Sequence, residues 1–160
     1  MNVMKITELF SRISTSPEET EAIGKELAQL LLRDTALPPF VALYGDLGVG
    51  KTAFTRGMAS VISPASAVRS PTFALVNEYR ASKDCGRFSA IFHFDMYRID
   101  SEDDLDSIGY WDYPLRNGLI LTEWSEKIPS ALPEDYIRLT IQKSPDGESI
   151  RTVTAERIES

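Results

Sequence analysis

The residues at positions 45–52 read GDLGVGKT, which fits the phosphate-binding pattern G-x-x-x-x-G-K-[ST]. In that pattern the glycines let backbone N–H groups turn inward around the α- and β-phosphates of a nucleotide. Lys51 would reach the β- and γ-phosphates, and the Thr52 hydroxyl would bind Mg²⁺. The alternative is a glycine-rich turn between a strand and a helix that binds no ligand. The pattern favours a nucleotide site.

Two acidic residues could supply the remaining chemistry, because hydrolysis also needs an acid on Mg²⁺ and a group that orients the nucleophile. Asp95 and Glu123 each follow an apolar run typical of a buried strand. Strand ends in such sheets face the nucleotide crevice, so both acids could reach the metal or the attacking water. Alternatively, either carboxylate caps a loop or pairs with Arg98, a residue that could instead stabilise charge on a transferred phosphate.

Four further residues each allow a functional and a structural interpretation. His93 shares a strand face with Asp95 and could act as a base, although a lone strand histidine is typically a hydrogen-bonded structural group. Ser70 or Thr72 could contact Mg²⁺ or phosphate in a switch loop, or could belong to a turn set by proline. Trp124 could line the nucleotide site or pack in the core.

The elements around the phosphate loop follow from hydrophobic periodicity and helix signals. A buried strand at 40–44 precedes the loop, and a helix over 52–62 follows it and directs its positive end at the phosphates. Ser16, Pro17 and Glu19 predict a capped helix that ends before the two prolines at 38 and 39. The other predicted elements are strands at 6–13, 73–79, 89–97, 118–123, 136–143 and 149–157, and a short helix capped by Ser101.

These elements predict an α/β fold, namely a P-loop NTPase-like three-layer sandwich. Its sheet is mostly parallel, with added antiparallel strands and a C-terminal β-hairpin turning at 145–147. The strands at 73–79 and 89–97 are predicted to form another hairpin. We expect one domain over residues 1–160, since no repeat or interdomain linker interrupts the pattern.

Composition limits the classes of function. The chain has a formal net charge of −7, whereas proteins that bind nucleic acid directly usually present a basic face. Its apolar runs are too short to span a bilayer and its first residues lack a signal-peptide core, so we expect a cytoplasmic protein that does not insert into a membrane. The lone cysteine, Cys85, excludes an internal disulfide and is expected to be a spare surface thiol.

Four segments together, in their order and spacing, resemble the bacterial TsaE family of ATPases. They are GDLGVGKT at 45–52 with Arg56-Gly57 after it, SPTF at 70–73, HFDMYR at 93–98, and Glu123-Trp124. The resemblance implies an ATPase that helps to form N6-threonylcarbamoyladenosine at position 37 of tRNAs reading ANN codons. It also implies TsaB and TsaD as partners, with TsaD performing the transfer and tRNA reached only through these partners.

The same resemblance assigns roles residue by residue. It implies that phosphate is bound by Leu47, Gly48, Val49, Gly50, Lys51 and Thr52, that Thr52 and Glu123 hold Mg²⁺, and that Asp95 and Lys51 are catalytic, with Asp95 positioning or activating water. Segment 70–73 becomes a switch, and segments near Ser16 and Gly147 flank the nucleotide base. Two other functions remain open: a small-molecule P-loop kinase, and a nucleotide switch without catalysis.

Overall fold

A seven-stranded mixed sheet runs through the protein, whose computed structural model describes residues 3–46, 48–71, 75–83 and 85–160. The strands are β1 (Lys5–Ser14), β2 (Phe40–Tyr44), β3 (Val76–Arg80), β4 (Ala90–Asp95), β5 (Leu119–Glu123), β6 (Asp135–Lys143) and β7 (Arg151–Glu159). They lie in the order β1-β7-β6-β2-β5-β4-β3. The four central strands are parallel, whereas β1, β7 and β3 join antiparallel. The predicted mostly parallel α/β sheet and its C-terminal hairpin are confirmed.

Helices cover both faces of this sheet, which makes three layers. Helices α1 (Pro17–Arg33) and α2 (Lys51–Ile62) pack on the face that carries Leu43 and Leu121. The short helix α3 (Glu102–Ser107) and the 3₁₀ turns Tyr110–Arg116, Ser125–Lys127 and Pro129–Ala131 cover the opposite face. Side chains alternate between the faces along each strand, so Phe92 and Phe94 of β4 point away from α2 while Ile91 points towards it.

Helix α1 begins as its sequence predicts, with one difference. The Ser16 hydroxyl accepts a hydrogen bond from the Glu19 amide at 3.1 Å, and Pro17 occupies the first turn. The sequence predicts a capping box, in which the Glu19 carboxylate would accept from the Ser16 amide; it accepts instead from the Thr15 amide at 2.7 Å and the Thr15 hydroxyl at 3.0 Å. The Thr15 amide and hydroxyl both donate to this one carboxylate, which favours Thr15 as the partner of Glu19.

Helices α1 and α2 approach each other closely through two glycines. A Cβ atom built on Gly57 would lie 1.9 Å from the Glu21 carbonyl oxygen, and one on Gly24 would lie 2.2 Å from the Phe54 carbonyl oxygen. No larger residue fits either position without a backbone shift. Because α2 starts at Lys51, this contact sets the position of the residues that follow the phosphate loop.

The structure corrects three local predictions. The strand predicted at 73–79 begins at Val76, because Leu75 has a left-handed φ of 64° that no strand can continue; residues 72–74 lie outside the described residues. The strand predicted at 89–97 ends at Asp95, whose side chain accepts from the Tyr97 amide and turns the chain. Cys85 is half-buried against the core rather than a surface thiol.

None of the helices found in the described residues is both long and apolar enough to cross a bilayer.

Candidate functional site

The phosphate loop connects the end of β2 to the start of α2 with the backbone shape that its glycines predict. Gly45, Gly48 and Gly50 have φ values of 147°, 77° and 117°, in the region that favours glycine. Gly50 is the cap residue immediately before α2, so its left-handed backbone leads directly into the helix that begins at Lys51. Leu47 lies outside the described residues. A helix start preceded by such a loop is an anion-binding arrangement.

The two predicted acids are neighbours at the carboxyl edge of the sheet. Asp95 of β4 and Glu123 of β5 are register partners, and Glu123 is also the partner of Leu43 in β2. Strand alternation places both carboxylates on the face that carries α2. Glu123 is only 7% exposed, whereas Asp95 is half-buried. The sequence prediction that both acids end strands beside the phosphate loop is met.

Lys51 is the point where the loop meets these acids. Its Nζ atom lies 3.8 Å from Glu123 Oε1 and 4.4 Å from the centre of the Trp124 ring. The lysine is 6% exposed, so both contacts form with little water present and are stronger than surface contacts. Thr52 follows Lys51 in the first turn of α2 and is half-buried.

Trp124 reaches Lys51 through an unusual backbone conformation. Its φ of 62° and ψ of 22° are left-handed, and such a conformation in a residue with a side chain costs about 1–3 kcal/mol. The conformation ends β5 abruptly, and the ring packs edge-on against Tyr97 with centroids 5.5 Å apart. Both interpretations of Trp124 hold in part, because the ring lies beside Lys51 at the phosphate loop and also packs against the core cluster on the other face of the sheet.

His93 is a buried partner of Glu123. Its Nε2 atom lies 2.5 Å from Glu123 Oε2, and the residue is 0% exposed. Although alternation places it on the face of Asp95, the imidazole lies behind the Glu123 carboxylate and is closed to solvent. This position favours the structural interpretation over a base acting on water.

Asp95 has one role that is visible in the structure. Its Oδ1 atom accepts a hydrogen bond from the Tyr97 amide at 2.9 Å, so this carboxylate does cap a loop. The cap also holds the side chain at the edge of the sheet beside Glu123. Loop capping and a catalytic role are therefore compatible.

A cavity of about 180 Å³ opens beside the phosphate loop. It is lined by Thr15, Ser16, Pro17, Thr20, Gly48, Val49, Gly50, Ser149 and Arg151. Segments near Ser16 and near the C-terminal turn were expected here, but Thr20 and Arg151 were not. The Arg151 Nε atom donates to the Val49 carbonyl at 3.3 Å and its guanidinium also donates to the Glu148 carbonyl. No motif signals Arg151, since it stands in an ordinary alternating strand.

Tyr44, at the end of β2, has a perturbed acidity. Burial is the largest cause, and with the adjacent Tyr136 it raises the pKa of Tyr44 to about 12. The phenol therefore stays neutral beside the phosphate loop at physiological pH.

Among the described residues, no three histidine, cysteine, aspartate or glutamate side chains cluster as a metal site. Mg²⁺ on a bound nucleotide typically needs only one or two protein oxygens, because phosphates and water complete its coordination. A hydroxyl in the first turn of α2 and the buried Glu123 carboxylate have the oxygen chemistry that Mg²⁺ requires. Ser70 is exposed, and the neighbouring Thr72 and Phe73 lie outside the described residues.

Comparison with known proteins gives consistent matches over most of the chain. The family model described as threonylcarbamoyl adenosine biosynthesis protein TsaE matches residues 14–153. The tRNA threonylcarbamoyladenosine biosynthesis protein TsaE of Haemophilus influenzae is 40% identical over 131 residues, covering 81% of this chain and 80% of that protein. The Bacillus subtilis protein of the same name is 34% identical over 142 residues, covering 89% and 83%. The crystal structure of Bacillus subtilis YdiB superposes with a TM-score of 0.69 at 29% identity, covering 98% of this chain and 88% of that one.

Proposed function

Because the chain belongs to the TsaE family of threonylcarbamoyl adenosine biosynthesis proteins, we propose that it is an ATPase of that tRNA-modification pathway. In this proposal it binds and hydrolyses ATP with Mg²⁺ and works with TsaB and TsaD to form N6-threonylcarbamoyladenosine at position 37 of ANN-decoding tRNAs. The observation that carries the ATPase role is the contact of Lys51 Nζ with Glu123 Oε1 at 3.8 Å beside the phosphate loop. This contact places Lys51, the proposed phosphate-binding cation, beside Glu123, the proposed Mg²⁺ ligand.

Nucleotide binding rests on the loop and on Lys51. Backbone N–H groups from Gly48 to Thr52, at the start of α2, would hold the phosphates. Lys51 is buried, and the exclusion of water strengthens the attraction between its ammonium group and the phosphates. Leu47 is proposed to belong to the same set. The cavity between Ser16 and Arg151 is the proposed place of the base.

The proposed Mg²⁺ site consists of the Thr52 hydroxyl and Glu123. Bound there, the ion would neutralise charge on the β- and γ-phosphates. His93 fixes one Glu123 oxygen at 2.5 Å, and Lys51 lies 3.8 Å from the other, so the carboxylate is held in one orientation before any ligand binds. Preorganised charge of this kind lowers the barrier without reorganisation during the reaction.

Asp95 is the proposed residue that positions or activates water. It is register partner of Glu123, more exposed than Glu123, and fixed by the Tyr97 amide. No motif of the sequence marks an arginine that would stabilise the transition state, so we expect the protein alone to hydrolyse ATP slowly. An arginine supplied by a partner can raise kcat about 10³–10⁵-fold. We therefore propose that TsaB and TsaD stimulate hydrolysis.

The charge of the chain supports an indirect contact with RNA. At a formal net charge of −7, the protein lacks the overall basic character with which proteins neutralise phosphate backbones. We propose that TsaB and TsaD hold the tRNA while this protein supplies ATP-driven steps, and that all of this takes place in the cytoplasm.

The test is ATP turnover by purified protein with and without TsaB and TsaD, for wild type and Asp95→Ala. We expect turnover that rises with the partners and falls about 10²–10⁴-fold in the variant, which should still bind ATP. Turnover that responds to a small metabolite and to no partner would instead identify a kinase. Normal tRNA modification by Asp95→Ala would identify a nucleotide switch without catalysis.

A further inference from the structure

A chain of polar contacts runs from the backbone of Arg69 to the Glu123 carboxylate. The Tyr79 hydroxyl donates to the Arg69 carbonyl at 2.8 Å and accepts from the Arg69 amide at 3.1 Å. The same hydroxyl lies 3.4 Å from His93 Nδ1, and His93 Nε2 lies 2.5 Å from Glu123 Oε2. Asn77 adds a second bond to the Arg69 carbonyl at 3.1 Å. Two side chains thus separate the segment before β3 from the proposed metal ligand.

Burial makes each link in this chain hard to replace. Tyr79, His93 and Glu123 are 4%, 0% and 7% exposed. A buried polar group that loses its partner has no water to replace that partner, so the loss is more costly than at the surface. The orientation of Glu123 therefore depends on His93, and that of His93 on Tyr79.

The hydrogen-bonding roles in this series of polar contacts follow from the chemistry of each group. Nε2 of His93 faces Glu123 Oε2, which leaves Nδ1 on the other side of the ring to face the Tyr79 hydroxyl. Tyr79 has a single hydroxyl hydrogen and two acceptors, the Arg69 carbonyl at 2.8 Å and His93 Nδ1 at 3.4 Å. The two acceptors compete for this hydrogen, so the position of the Arg69 carbonyl decides how much of the hydroxyl's donation reaches His93. If Arg69 moves away, the hydrogen becomes available to His93.

We propose that His93 and Tyr79 are positioning residues that couple the backbone at Arg69 to the orientation of Glu123. Arg69 immediately precedes Ser70, where the predicted switch segment begins. A displacement of that backbone, for example on partner binding, would redistribute the Tyr79 hydrogen and alter the hold of His93 on Glu123. The consequence for activity rests on the proposed function, in which Glu123 holds Mg²⁺.

One test does not depend on turnover. His93 is the only histidine of the chain, so protein labelled with ¹⁵N-histidine gives the imidazole signals of this residue alone. We expect a strongly deshielded Nε2 hydrogen, lost in Glu123→Gln, and a shifted Nδ1 signal in Tyr79→Phe. The matched control is Tyr110→Phe, since the buried Tyr110 hydroxyl donates to the Ala131 carbonyl at 2.7 Å in the other core cluster. Imidazole signals that are equal in wild type and Tyr79→Phe would overturn the proposal.

A second test measures ATP turnover with TsaB and TsaD across a range of Mg²⁺ concentrations. Loss of a residue that orients a metal ligand typically costs about 10–100-fold in metal affinity or activity, so His93→Gln and Tyr79→Phe should raise the half-maximal Mg²⁺ concentration at least about tenfold. Tyr110→Phe should lower only stability. An unchanged Mg²⁺ requirement in both site variants contradicts the coupling. If wild type shows no turnover, the proposed function fails, while the imidazole signals still decide the positioning role.

Discussion

Replacing Gly57 by alanine should separate α2 from α1 and disturb the phosphate loop. The added Cβ would lie 1.9 Å from the Glu21 carbonyl oxygen, whereas carbon and oxygen atoms normally stay about 3.3 Å apart. The helices must therefore move apart by more than about 1 Å. The atom struck is backbone and cannot rotate away, and the next nearest atoms, 2.8 and 3.1 Å away, also belong to the Glu21 backbone.

The expected cost is the balance of two effects. Alanine in place of glycine gains about 1 kcal/mol of helix propensity. Overpacking typically costs about 1–3 kcal/mol, and a collision with backbone belongs at or above the top of that range. We expect a net loss of about 2 kcal/mol, or a Tm lower by about 4–8 °C for a chain of this length. Because α2 begins at Lys51, a 1 Å displacement should also lower ATP turnover about 10²-fold.

The assay is thermal unfolding together with turnover at saturating partners. Ser60→Ala is the matched control, because Ser60 is exposed three residues further along the same helix and its hydroxyl bonds the Gly57 carbonyl within α2 rather than a group of α1. It should leave both the Tm and the turnover close to wild type. A Gly57→Ala protein as stable as wild type, with normal turnover, would refute the close-packed contact and its role in placing Lys51.

Three further predictions concern the surroundings of the phosphate loop. Arg151→Ala removes the bond to the Val49 carbonyl and should weaken ATP binding about fivefold, the effect of one net hydrogen bond, in calorimetric titration; equal affinity would contradict this role. Tyr44 holds its proton more tightly when folded, with a pKa of about 12 against 10.0, so the free energy of unfolding should fall as the pH rises from 10 towards 12. Urea unfolding of Tyr44→Phe should show a smaller decline, and an equal decline would refute the assignment. Asp95→Asn should bind ATP like wild type but lose turnover about 10²-fold or more, and retained turnover would remove Asp95 from the catalytic residues.

The sequence predicted those features that depend on residues close together along the chain. Glycines in a fixed pattern predict the loop backbone at Gly50, and an apolar run ending in an acid predicts that Glu123 lies at the carboxyl edge of the sheet. The helix start at Ser16 follows from capping, which is equally local. These rules were enough to predict the three-layer α/β fold and the position of each acid at the end of its strand, on the side of the phosphate loop.

Contacts between segments far apart in sequence were not predictable in this way. The bond of Arg151 to Val49 spans 102 positions, and nothing in an alternating strand distinguishes the arginine. The hold of His93 on Glu123 requires β4 and β5 to be neighbours in a known register, which local patterns do not specify. The left-handed backbone of Leu75, which delays the start of β3, also has no local signal because leucine rarely adopts it.

The most direct test of the proposed function is the amount of N6-threonylcarbamoyladenosine formed on ANN-decoding tRNA by purified TsaB and TsaD with this protein. The reaction contains ATP, Mg²⁺ and a threonylcarbamoyl donor, and wild type is compared with Lys51→Ala. We predict that modification continues over repeated cycles with wild type and stops with the variant, because Lys51 is the cation that joins the phosphate loop to Glu123. Modification that continues equally with wild type and with Lys51→Ala would contradict the proposed function.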